Sequence, residues 1–173
     1  MKPLQKVAMG LVIVLADPFK AGFDVLPDVL GWVLVVLGLL DLRTALRNSS
    51  TLLTLAVLAG AVSAVVFWPP VADGLPESAG WLLSLPQLAF SVVLCGDLAA
   101  LLAPEAPESP RRLSWLRWAF VVAAVGPLLL YGGGVDSLLV PLAVLTVAAN
   151  VYLVYLLFKY AGRPAVSHSE AAA

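Results

Sequence analysis

Long apolar runs alternate along the chain with short polar breaks, and most of the charge sits in the breaks. Tested against the ~20 residues that cross a bilayer core, the pattern predicts six spans at about residues 4–17, 25–47, 51–68, 80–103, 115–131 and 136–160. The first ends at Asp17-Pro18, because the residue before a proline disfavours helical backbone. Asn48-Ser49-Ser50 offers N-cap candidates for the third, which stops at Trp68-Pro69-Pro70. Gly126-Pro127 predicts a kink in the fifth, and Gly132-Gly133-Gly134 separates it from the sixth. Backbone in lipid must satisfy its own hydrogen bonds. The expected fold class is therefore all-α, a polytopic membrane bundle of six transmembrane helices over residues 1–162, with a polar tail at 163–173. Pro27, Pro86 and Pro141 each fall near the start of an even-numbered span, which suggests three consecutive helical hairpins.

Composition supports this picture. Hydrophobic residues make up 61% of the 173 and charged residues 12%, with a mean hydropathy of +0.99, whereas soluble domains carry about 25% charged residues. A water-soluble surface is excluded. The net charge is −1 and no basic run is dense, which argues against nucleic acid as a partner and leaves the lipid bilayer, with other membrane proteins or self-association. Cys95 is the lone cysteine and His168, in the tail, the lone histidine. No disulfide within the chain, metal site or cofactor is expected from them.

The charge pattern also orients the spans. With both termini in the cytoplasm, Lys2, Lys6, Arg43, Arg47, Arg111, Arg112, Arg117, Lys159 and Arg163 all fall inside and only Lys20 outside, as the excess of Lys and Arg in cytoplasmic loops requires. Trp68 and Trp81 then mark the outer interface, Trp115 and Trp118 the inner one. Lys2, Lys6, the apolar run from Val7 and Val14-Leu15-Ala16 also imitate a cleavable secretory leader. Cleavage would leave the other orientations unchanged, so the alternative stays open beside the preferred retained helix.

Acids placed in apolar surroundings are the candidate chemistry. Asp17, Asp24 and Asp28 gather at the outer face with Lys20. Asp24 can cap the second helix, and Asp28 lies where an anion meets the positive end of the helix dipole; the competing expectation is a small acidic site for a proton or cation. Asp28, Gly31, Gly38 and Asp41 share one face of the second helix. That small-residue stripe is expected to pack on protein, with the run Ala56, Gly60 and Ala64 of the third span as the partner surface. Asp97 has apolar residues on both sides. It is expected either to pair with an arginine of the inner rim such as Arg43 or Arg112, or to join Asp41 and Asn150 in a polar cluster serving a proton or ion. Ser84, Gln87, Ser91 and Cys95 form a separate polar stripe on the same helix. Phosphate loops, serine elbows and Cys/His pairs are absent.

The stretch Asp24-Val25-Leu26-Pro27-Asp28-Val29-Leu30-Gly31-Trp32, leading into Leu34 and Gly38-Leu39, resembles a pattern in small, uncharacterised bacterial integral membrane proteins. The likeness covers roughly residues 7 to 45. It implies a bacterial polytopic membrane protein and brings no activity. The expected function is a structural or accessory subunit of the bacterial cytoplasmic membrane. The alternatives are a small-ion or small-solute permeation protein using intramembrane acids, and, with least support, a membrane-embedded enzyme.

Overall fold

A computed structural model of the chain describes residues 2–16, 28–66 and 76–163. Among these every regular element is helical: α1 (Pro3–Ala16), α2 (Asp28–Asp41), α3 (Ser49–Val66), α4 (Glu77–Leu102), α5 (Ser109–Gly133) and α6 (Leu139–Tyr160), with a 3₁₀ turn at Asp136–Leu138 before α6. The expected all-α bundle is what forms. At 1.5 Å per residue, α3 to α6 are ~27–39 Å long, against a hydrocarbon core of ~30 Å. These four are long and apolar enough to cross a membrane, and α1 is a shorter apolar helix. Large apolar side chains also face outward along the bundle, Val57, Val65, Leu82, Val125, Leu129, Val140 and Val144 among them, each more than half exposed. An aqueous protein would not tolerate such a belt, whereas lipid solvates it.

The helices form a ring. Each packs mainly on its neighbours in chain order, and α6 packs back on α1. One core runs through the ring, with Trp32, Phe90, Leu94, Phe120 and Leu153 at 2% exposure or less. The Trp32 ring meets Phe90 edge-on at 5.5 Å between centroids, the favoured geometry for two aromatic quadrupoles.

The tightest seam joins α1 to α2. A Cβ placed on Gly31 would lie 2.6 Å from the carbonyl oxygen of Gly10, and one on Gly38 would lie 2.8 Å from that of Pro3. Only glycine permits so close a backbone approach. The Gly31–Gly38 stripe does pack on protein, but on α1 rather than on the expected third helix. Gly60 instead comes up against Trp32, the nearest atom 3.1 Å from its Cβ position. Ala56, Gly60 and Ala64 line an apolar groove of ≈ 430 Å³ between α2 and α3. Trp32 is too large to let the two backbones close, so small residues here make a groove instead of a seam.

Two helix boundaries differ from the expected ones. The second helix ends at Asp41 rather than near Arg47, because the chain bends there: the N–H groups of Ala45 and Leu46 both donate to the Leu42 carbonyl. The bend tucks Leu42 and Leu46 under the bundle, at 0% and 5% exposure, and leaves Arg43 and Arg47 outside. The same turn recurs after α4, where Glu105 and Ala106 donate to the Leu102 carbonyl. The fifth helix begins at Ser109, well before Trp115. Pro110 sits in its first turn, where the missing N–H costs nothing. At its other end Gly134 takes φ +65°, the left-handed stop that glycine adopts freely, and the helix runs unbroken through Gly126-Pro127.

Candidate functional site

Among the described residues Asp97 is the buried acid, 5% exposed. It stands near the end of α4, level with the first turn of α3. Its Oδ2 accepts the backbone N–H of Asn48 at 2.8 Å and its Oδ1 accepts the Asn48 side-chain amide at 2.6 Å. Asn48 directly precedes α3, and its own carbonyl accepts the N–H of Leu52. The carboxylate therefore grips the α3 N-terminus from a neighbouring helix, where the helix dipole favours an anion and free N–H groups need acceptors. Asn48 is one of the three N-cap candidates, and a cap of the usual kind would accept from its own helix. Asn48 donates its amide to α4 instead.

The expected arginine partners of Asp97 lie elsewhere. Arg43 is exposed on the turn after α2, and Arg112 lies on α5. Arg47 and Arg117 do approach: with Asn48, Thr51, Gly96 and Asp97 they line a recess of ≈ 330 Å³. The Arg117 guanidinium passes 3.6 Å from the Cβ position of Gly96.

Asp41, Asp97 and Asn150 are not brought together. Asp41 ends α2 and pairs with Lys6 of α1 at 2.6 Å, both side chains about a third exposed (35% and 31%). Asn150 lies in mid-α6 at 8% exposure and donates its Nδ2 to the Thr146 carbonyl one turn back, at 2.9 Å. Each group has its own partner, and none is shared. Asp28 opens α2, partly buried, consistent in position with a carboxylate at a positive helix end. Asp17 and Asp24, the rest of the expected outer acidic cluster, lie outside the described residues.

The predicted polar stripe on α4 divides. Ser91 and Cys95 are buried at 1% and 0% exposure, and the Ser91 hydroxyl donates to the Gln87 carbonyl. Ser84 and Gln87 open instead onto a cavity of ≈ 390 Å³ shared with α5 and α6, where Thr146 and Asn150 also line the wall. That juxtaposition escaped the sequence reading, because helix neighbours far apart in the chain are not visible in a helical wheel.

The described basic residues gather at one end of the bundle. Lys2 lies beside Gly162, its ammonium 3.6 Å from the Gly162 Cβ position, and Lys6 reaches the end of α2. Comparison with protein families, curated proteins and solved structures finds no match.

Proposed function

We propose that the chain is a structural or accessory subunit of a bacterial cytoplasmic membrane, with both termini inside. The observation that carries this reading is the use made of the acids. Asp97, expected either to pair with an arginine or to serve a proton or ion, has both carboxylate oxygens engaged by Asn48, and Asp41 ties α2 to α1. Both acids are spent on holding helix ends in place, which supports a structural role over a relay of protons or ions. The outward apolar belt on every helix supplies surface for lipid and for a membrane partner. The packing of α1 between α2 and α6 supports its retention as a helix of the bundle. The clustering of Lys and Arg at one end supports the N-in, C-in orientation, and the Asp24-to-Trp32 resemblance supports a bacterial source.

Photo-crosslinkers placed at outward Val57, Val122 and Val144 in native membranes test the reading. A discrete protein adduct from one face is expected, and lipid adducts alone from every face would count against it. Cysteines at Lys2 and Arg163 should resist an impermeant maleimide in intact cells and react after lysis. Labelling before lysis would reverse the orientation.

A further inference from the structure

The cavity between α4, α5 and α6 is built unlike the Asp97 clamp. Its polar lining comes from Trp81, Ser84, Gln87, Tyr131, Thr146 and Asn150, and among the described residues its wall holds no carboxylate, ammonium, guanidinium or imidazole. Asn150 is more than nine-tenths buried. Its Nδ2 is engaged by Thr146, and its Oδ1 accepts no hydrogen bond among the described residues. The Gln87 side-chain amide makes none among the described residues either, and both residues line the cavity.

Other groups add acceptors. The hydroxyls of Ser84 and Thr146 donate to the carbonyls of Trp81 at 2.7 Å and Leu142 at 2.8 Å, so each oxygen keeps lone pairs for a guest. Pro127, also in the wall, has no N–H, so the carbonyl of Ala123 one turn before it lacks its helical donor. The wall is thus largely apolar, from Leu88, Leu130, Leu142 and Val147 among others, with neutral acceptors set into it and the Gln87 amide and Tyr131 hydroxyl as donors.

That chemistry selects the occupant. An apolar molecule would leave the buried Asn150 oxygen unmet, at about 1–3 kcal/mol, together with the half-buried Gln87 amide, and an ion would find no countercharge among the described lining residues. A guest with several O–H donors satisfies the wall. The volume lies at the lower end of small-molecule sites, about 300–1,000 Å³, which suits one sugar-sized ring. We propose that this cavity binds an uncharged, hydroxyl-rich molecule of that size, either a free polyol or the sugar head group of a glycolipid. The inference goes beyond the subunit reading and does not depend on it.

The test uses the full chain in a detergent without a sugar head group, titrated calorimetrically with glucose and, separately, with monoglucosyl diacylglycerol. Saturable binding of either is expected, weakened about tenfold by Asn150→Leu or Gln87→Leu, the loss of roughly one hydrogen bond. Glucose binding alone identifies a free solute, and glycolipid binding alone a head group. The proposal is overturned if neither binds, if binding is unchanged in the leucine variants, or if glucose 6-phosphate binds as well as glucose. Should the leucine variants fail to fold, Ser84→Cys in a Cys95→Ala background supplies the readout. A binding sugar should slow its reaction with 2-hydroxyethyl methanethiosulfonate severalfold, and unchanged labelling overturns the proposal.

Discussion

Replacing Asp97 separates a clamp from an ion-handling acid, because the two roles predict opposite changes in stability. In Asp97→Ala the backbone N–H and side-chain amide of Asn48 lose the acceptors they hold at 2.8 and 2.6 Å. Hydrogen bonds to a charged group contribute about 1.5–3 kcal/mol each, and an anion at a helix N-terminus adds about 0.3–1 kcal/mol. The Asn48 side chain is exposed and water can replace part of this, so a loss of about 2–4 kcal/mol is expected. Asp97→Asn should cost only about 1 kcal/mol: its oxygen still accepts from the backbone, and a rotated Asn48 amide can accept from its nitrogen. Asn48→Ala removes the side-chain contact and keeps the backbone one, so it falls between the two. Reversible unfolding in mixed micelles gives these values. The Asn48→Ala/Asp97→Ala cycle should show a coupling of about 1–2 kcal/mol. If Asp97→Asn stabilises the protein, or if the two alanine changes are additive, Asp97 is not the clamp described and becomes the first place to look for a bound proton.

Other changes test the remaining contacts. Gly31→Ala pushes a methyl against the Gly10 carbonyl and should cost about 1–3 kcal/mol in the same assay, whereas Gly80→Ala, with nothing within 4 Å of its Cβ position, should be neutral or slightly stabilising. Equal effects at the two glycines would remove the case for a close α1–α2 seam. Asp41→Asn should cost at most about 1 kcal/mol, since both partners of the pair are about a third exposed and such pairs contribute little. The exchange Lys6→Asp with Asp41→Lys should recover most of any loss, and failure to recover it would show that the pair's charges do not matter to its position. Trp32→Ala should cost about 3–5 kcal/mol as a large core truncation. Trp32→Phe should be far milder, because the buried indole N–H has no partner among the described residues; a comparable loss from both would mean that the N–H is satisfied after all.

The hydropathy of the runs made the helices legible, because lipid leaves backbone few alternatives and each run is bounded by Pro, Gly or polar residues. Boundaries failed where local pattern and tertiary packing disagree. Leu42 and Leu46 have helical spacing, yet the chain buries both by turning, and Pro110, outside the fifth apolar run, fits a first helical turn. For the candidate site, the burial of Asp97 was readable from its apolar neighbours. Its partner was not, since Asn48 is chemically ordinary at a helix start and only the docking of α4 on α3 turns it into a donor. The Gly31–Gly38 face was correctly assigned to packing, but the matching glycine, Gly10, stands alone in its span without the small-residue repeat that would have marked it.

The closing of the ring by α6 on α1 has a consequence for how the protein is made. Between the end of α1 at Ala16 and the start of α6 at Leu139, a ribosome working at ~5–20 residues per second takes roughly 6–25 s. Throughout that interval one flank of α1 has no permanent neighbour in its own chain. Translation speed and early lipid or chaperone contacts at that flank therefore bear on the yield of closed rings, even though they leave no trace in the finished bundle.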